Sequence, residues 1–151
     1  MGKAAVAGGE ALIQIIYTSV ASVPFTADDL TRLLATARTS NHAHQVSGLL
    51  VFDDGFFIQT LEGPESRVDQ VFRTIEKDTR HDHLRLLLRH RIDAREFADW
   101  TMGFVDTSAL PARLDGFVPY CTLKQTVRDG SQARRLVGMF QEGRWRQAVS
   151  R

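Results

Sequence analysis

Apolar and polar positions along the chain follow two periods, one typical of strands and one typical of helices. Residues 12–20 are rich in Ile, Tyr, Thr and Val, which predicts a first β-strand. Its alternation would place four side chains on one face: Ile13, Ile15, Tyr17 and Ser19. Beyond Pro24 the apolar residues recur at helical spacing. They predict a first helix with Thr26 as its N-cap and Asp29 completing a capping box.

Two apolar runs in the middle of the chain predict a pair of central strands. Residues 46–52 and 56–61 flank an Asp-Asp-Gly sequence at 53–55, which is typical of a tight hairpin turn. Both runs are apolar on both faces, so we expect them to lie centrally in a covered sheet. Pro64 then marks the first position of a predicted second helix. The buried stripe of that helix would be Val68, Val71, Phe72 and Ile75.

Two further strands are predicted at residues 84–92 and 100–105, which completes the order β-α-β-β-α-β-β. A strand-helix-strand connection of this kind is a right-handed crossover between parallel strands. The order therefore predicts an α+β, ferredoxin-like sheet with one added strand and both helices on one face.

The chain divides into three predicted parts. Residues 1–10 are expected to be a flexible leader, residues 11–106 the folded domain, and residues 107–151 a C-terminal extension. Apolar residues at helical spacing from Ser131 predict an amphipathic helix there, packed on the other face of the sheet or on a partner. The extension is too short for an enzyme domain such as a cyclase, so we expect a single-domain protein.

Composition and charge narrow the classes of function. The chain carries 19 Lys and Arg against 18 Asp and Glu, and this balance argues against a nucleic-acid or membrane-surface protein. Cys121 is the only cysteine, which excludes an internal disulfide and a thiolate-built zinc site and favours the cytoplasm. The five histidines have no acidic cluster beside them, so we interpret them as solvated surface residues and predict no metal site.

Gln59 is unusual on physical grounds, because it lies in a strand that we expect to be covered on both sides. A buried primary amide must satisfy two donor hydrogens and two acceptor lone pairs. Tyr17 is a second polar group in the same apolar sheet. Two interpretations stay open, namely a Tyr–Gln pair that satisfies itself in the core and the polar edge of a ligand site.

Three other residues have ordinary structural interpretations when they are taken alone. Asn41 follows the predicted first helix and would serve as its C-cap. Trp100 and Met102 alternate on the predicted last strand and would belong to the core.

Taken together, five separated blocks of the sequence resemble the BLUF family of flavin-binding blue-light sensors. The most specific block is GFFIQTLEGP at residues 55–64. The others are residues 17–19, residue 41 with residues 45–50, residues 78–81 and residues 97–102. The resemblance extends over residues 11–106, and the fold of the family is the plan that the periodicity predicts.

The resemblance implies a flavin held non-covalently between the two helices, either FAD or, alternatively, FMN or riboflavin. Leu33, Ile75 and Phe57 would form apolar walls, and Asn41 would hydrogen-bond the pyrimidine edge of the ring. Arg80 and His81 would hold the same edge or the ribityl chain, with Asp78 orienting Arg80. Tyr17 and Gln59 complete the expected set of contacts.

The resemblance also implies a mechanism without turnover, so the protein is not expected to be an enzyme. In the family, excited flavin takes an electron from the tyrosine, a proton follows through the glutamine, and the amide rotates or tautomerises. Here those residues would be Tyr17 and Gln59, and Ser19, Trp100 and Met102 would relay the change to residues 131–146. The expected output is contact in trans with a protein such as a cyclic-di-GMP enzyme or a transcription regulator, together with homo-oligomerisation.

Two other functions remain open at the level of the sequence. A flavin-dependent redox enzyme would need a catalytic acid or base at the ring, and no residue is a candidate for it. A flavin-free, ferredoxin-like interaction module would share the fold and would lack the chromophore.

Overall fold

A computed structural model of the chain describes residues 10–98, 101–106 and 149–150. Two helices and six strands lie within these ranges. They are β1 (Leu12–Ala21), α1 (Ala27–Ala43), β2 (Ser47–Asp53), β3 (Phe56–Pro64), α2 (Glu65–Glu76), β4 (His81–Ile92), β5 (Gly103–Asp106) and β6 (Val149–Ser150).

The strands form one sheet in the order β4-β1-β3-β2-β5-β6. β3 lies between β1 and β2 and is antiparallel to both, so β1 and β2 run in the same direction, as a crossover through α1 requires. β5 is the added strand and pairs parallel to β2. The predicted α+β, ferredoxin-like plan is therefore confirmed.

Both helices pack against the same face of the sheet and enclose the core there. Leu34 of α1 and Val68 of α2 belong to one apolar cluster with Ile15 and Leu61 of the sheet. Every residue of β2 and β3 is buried, as their apolar runs predicted. Gly48 lets these two strands approach closely, because a Cβ at that position would lie 2.0 Å from the carbonyl oxygen of Thr60.

The predicted N-cap of α1 is present in full. The Asp29 amide donates to the Thr26 hydroxyl at 3.1 Å, and the Thr26 amide donates to the Asp29 carboxylate at 2.9 Å. The start of α2 differs from the prediction, since Pro64 is the last residue of β3 and the N-cap rather than the first helical residue. No helix among the described residues is long and apolar enough to cross a membrane.

Two strands begin at other positions than predicted. β4 begins at His81 rather than at residue 84, because its first residues are polar and half-exposed and give no apolar signal. β5 begins at Gly103, so Met102 precedes the strand instead of lying on it. Trp100, residues 1–9 of the predicted leader and the predicted C-terminal helix lie outside the described residues.

Candidate functional site

A cleft opens between α1 and α2 against the helix-covered face of the sheet. It holds about 820 Å³ of empty space when its open mouth is counted. All eight residues that the resemblance implied as cofactor contacts line this cleft. They are Tyr17, Leu33, Asn41, Phe57, Gln59, Ile75, Arg80 and His81.

The polar floor of the cleft is a pair of side chains on neighbouring strands. Tyr17 of β1 and Gln59 of β3 face each other in register, and both are buried. The Tyr17 hydroxyl donates a hydrogen bond to Oε1 of Gln59. Nε2 of Gln59 donates to the sulfur of Met102 at 3.4 Å, and sulfur is a weak acceptor. The amide is thus strongly bonded on its oxygen side and weakly bonded on its nitrogen side.

Tyr17 keeps its proton in this position. Burial raises the pKa of the phenol far above its usual range, and the nearby negative charge of Asp78 raises it further. The ring of Phe72 contacts the phenol edge-on, with 5.4 Å between the ring centroids. The cleft is therefore bordered by a neutral phenol whose proton points at an amide oxygen.

Asn41 lies in the last turn of α1, whereas the sequence placed it after the helix. His44 is the C-cap, so the C-cap interpretation of Asn41 is wrong. The Asn41 side chain is 2% exposed, and its Nδ2 donates to the carbonyl of Thr101 at 2.9 Å. No described residue donates to its Oδ1, which leaves a buried acceptor in the wall of the cleft.

His81 is half-buried and bonded on both ring nitrogens, which corrects the prediction that all histidines are solvated. Nε2 lies 2.8 Å from the carbonyl of Ile75, and because a carbonyl only accepts, this nitrogen carries hydrogen. Nδ1 lies 2.8 Å from the buried hydroxyl of Ser19, which donates to it in the neutral imidazole. His81 therefore has no ring nitrogen left for a ligand and offers only its ring edge.

His90 is likewise half-buried, and its Nε2 lies 2.8 Å from Oε1 of Gln14.

Ser19 also has a different neighbour from the one expected. Its predicted role was to relay the signal with Trp100 and Met102, and in this structure its hydroxyl is hydrogen-bonded to His81.

Arg80 and Asp78 form an ion pair at the mouth of the cleft. A guanidinium nitrogen of Arg80 lies 2.6 Å from Oδ2 of Asp78, and Nε lies 3.0 Å from Oδ1. This pairing lowers the pKa of the Asp78 carboxyl below its usual range. The guanidinium also lies 5.8 Å from the ring centroid of Phe25. Asp78 thus orients Arg80 towards the lip of the cleft.

These groups fit the flavin that the resemblance implied. Leu33 of α1, Ile75 of α2 and Phe57 of β3 give the cleft apolar walls suited to a flat aromatic ring. The free acceptor of Asn41 and the weakly bonded amide nitrogen of Gln59 suit a ring edge that carries both donors and acceptors.

Two features of the structure were missed in the sequence. Arg38 donates from Nε to the carbonyl of Met102 at 2.9 Å, and its position one turn before Asn41 was the available signal. Glu62 is fully buried on the opposite face of the sheet, where it accepts from Gln14 and from the amides of Glu96 and Phe97. Glu62 follows directly after the apolar run at residues 56–61, so the reasoning that singled out Gln59 as a buried polar residue could have singled out Glu62 as well.

Known proteins share this fold and this stretch of sequence. The family model of sensors of blue-light using FAD matches residues 12–103. Photoactivated adenylate cyclase subunit beta of Euglena longa is 32% identical over 113 residues, which are 74% of this chain and 13% of that protein. The chain is therefore similar to a small part of the cyclase subunit.

Two solved structures extend the comparison. BlrB, a BLUF protein in its dark state, matches with a TM-score of 0.63 and 30% identity, over 66% of this chain and 75% of that one. Klebsiella pneumoniae BlrP1 with FMN and cyclic diGMP matches with a TM-score of 0.65 and 27% identity, over 87% of this chain and 35% of that one. The family match contains both helices and the cleft between them, and the chain belongs to the BLUF family, the sensors of blue light using FAD.

Proposed function

We propose that this chain is a blue-light receptor that binds flavin in the cleft and switches through Tyr17 and Gln59. The observation that carries the proposal is the buried hydrogen-bond chain from the Tyr17 hydroxyl through the Gln59 amide to Met102. It runs along the floor of the cleft between the two helices, inside a domain of the flavin-sensor family.

The residues that hold the flavin divide by chemistry. Leu33 and Ile75 would hold the apolar ring, and Oδ1 of Asn41 would accept a hydrogen bond from its edge. Arg80 would hold the same edge or the ribityl chain. FAD is the proposed form, in line with the description of the family, and FMN is the alternative, since the BlrP1 structure contains it.

The switch depends on the capacity of one amide to donate and accept. When bound and excited, flavin would supply a one-electron oxidant. Tyr17 would be the electron donor, and Oε1 of Gln59 would accept its phenolic proton. Once the electron and proton are back on Tyr17, the amide would be rotated or tautomerised, with its nitrogen released from Met102 and able to donate to the ring edge. No covalent bond to the protein forms, and Cys121 takes no part.

The output we propose is contact with a second protein in the cytoplasm. We favour a partner that makes or degrades a cyclic nucleotide. One similar protein is a subunit of a photoactivated adenylate cyclase, and the structure of another contains cyclic diGMP. Self-association of the chain belongs to the same proposal, and Met102 and Trp100 are the proposed start of the relay.

The absorption spectrum of the purified protein tests the proposal. We expect a yellow protein whose visible bands move to longer wavelength under blue light and return in the dark. A colourless protein that takes up no added FAD, FMN or riboflavin would instead indicate a flavin-free interaction module. A flavin that bleaches under light when an electron donor is present, without a red shift, would indicate a redox enzyme.

A further inference from the structure

We propose that Arg38 is a positioning residue of the switch, which fixes the main chain of Met102 so that its sulfur stays against the amide of Gln59. The inference rests on the proposed function and adds a residue that lies outside the walls of the cleft.

Two side chains of α1 hold the segment that leads into β5. Nε of Arg38 donates to the carbonyl of Met102 at 2.9 Å, and Nδ2 of Asn41 donates to the carbonyl of Thr101 at 2.9 Å. The two donors are three residues apart and therefore share one face of the helix. Successive carbonyls are thus tied to one rigid element immediately before the strand begins.

The tie from Arg38 determines where the Met102 side chain can be. The Met102 side chain is fully buried and accepts the hydrogen bond from Gln59 through its sulfur. A methionine has three rotatable bonds and a weak acceptor, so by itself it sets the orientation of an amide poorly. A guanidinium bonded to the carbonyl of the same residue removes the freedom of the main chain, and a charged donor makes this bond stronger than a neutral one.

Arg38 should therefore affect the return of the amide and leave flavin binding unchanged. In this structure the amide nitrogen of Gln59 points at the Met102 sulfur, and we assign this orientation to the dark state. When Arg38 holds the main chain of Met102, the sulfur stays in place and favours this orientation of the Gln59 amide. Without Arg38 the sulfur can move, and the orientation is favoured less. Loss of the Arg38 bond is expected to slow the return from the lit state.

The test compares the dark recovery of the flavin absorption in three variants of the full chain. Arg38→Met keeps the aliphatic stem and removes the donor, and Arg38→Lys restores a charged donor. Arg32→Ala is the matched control, since Arg32 lies on the same helix and pairs with Asp29 at 2.8 Å. We expect recovery to slow by about threefold or more in Arg38→Met, since a hydrogen bond to a charged group shifts an equilibrium on the order of tenfold or more. Arg38→Lys should recover faster than Arg38→Met, and Arg32→Ala should match the wild type.

A double-mutant cycle separates positioning from general loosening of the fold. In a Met102→Leu background the sulfur is absent, so Arg38→Met should no longer change the recovery rate. An equal slowing in both backgrounds, a wild-type rate in Arg38→Met, or a more than twofold loss of flavin affinity would overturn the inference. The proposed function fails separately, if the wild-type chain itself shows no light-driven shift.

Discussion

Gln59 is a primary amide fixed between a phenol and a thioether, and its capacity to change partners can be removed without changing its bulk. In Gln59→Leu the hydrophobic walls of the cleft remain, so flavin should still bind. The persistent red shift under blue light should be absent, because leucine can neither accept from Tyr17 nor donate to the ring edge. Absorption spectra before and after illumination measure this.

The control for that variant is Arg32→Ala, whose exposed side chain does not line the cleft, and it should show the wild-type shift. A normal, reversible shift in Gln59→Leu would contradict the role of the amide.

Asn41 offers a buried acceptor to the cleft, and its truncation should weaken binding. We expect Asn41→Ala to lower flavin affinity roughly five- to tenfold, since one hydrogen bond contributes ~1 kcal/mol. Titration of the flavin-free protein with riboflavin and with FAD, followed by fluorescence quenching, measures the change. Thr39→Ala is the matched control, because that exposed hydroxyl bonds only within the helix, to the carbonyl of Ala35. Unchanged affinity in Asn41→Ala would remove this residue from the binding edge.

At the same scale, the sequence was informative where a polar residue interrupts an apolar strand. Gln59 and Tyr17 could be identified as a pair because both lie in runs that must be buried. The engagement of His81 could not be predicted, because its partners are a main-chain carbonyl and a serine hydroxyl distant in sequence. Such bonds depend on how strands and helix ends come together in three dimensions, and the residue types alone do not reveal that arrangement.

At the scale of elements, apolar patterning was a good guide to the centre of the sheet and a poor one at its edges. β2 and β3 are buried throughout, and β2 lies within one residue of its predicted bounds, whereas β3 extends three residues past its predicted end, to Pro64. β4 is an edge strand with polar, half-exposed residues at its start, and β6 has only two residues, too few to form a period. Main-chain pairing defines these strands, and it leaves little trace in the side chains.

The connection from β4 to β5 is held to the sheet by a carboxylate, and this anchor should give stability a measurable pH dependence. Oε1 and Oε2 of Glu62 accept from the amides of Phe97 and Glu96, each at 2.9 Å. Burial raises the pKa of Glu62 above its usual 4.5, although these hydrogen bonds oppose the shift. A raised pKa means that the folded state binds the proton more tightly than the unfolded state. The contribution to stability is therefore full below pH 4.5 and is lost as the pH rises through the folded-state pKa.

Glu62→Gln supplies the reference, because a neutral amide does not titrate. The free energy of unfolding of the wild type, minus that of Glu62→Gln, should fall as the pH rises above 4.5 and then become constant. Urea unfolding of both proteins at a series of pH values measures the difference. A difference that rises with pH would show that the donated hydrogen bonds outweigh burial at this carboxylate.

At the scale of the whole molecule, β5 is the strand that, among the described residues, connects the switch to β6 near the end of the sequence. It begins one residue after Met102 and pairs with β2 over only four residues, Gly103 to Asp106, so few main-chain bonds hold it. Its other edge pairs with β6, where Phe104 lies opposite Ser150. A change at Met102 therefore has a short path through β5 to the last residues of the sequence, which follow the predicted helix at 131–146.

Hydrogen exchange in the light and in the dark tests this path. A reoriented amide no longer donates to the Met102 sulfur, so we expect faster amide exchange in β5 and in residues 131–146 under blue light. Gln59→Leu with bound flavin is the matched control and should exchange equally in both conditions. The central strand β3 should be unchanged, because it is bonded on both edges. If β5 and residues 131–146 exchange alike in light and dark while the wild-type spectrum still shifts, the signal leaves the domain through another surface.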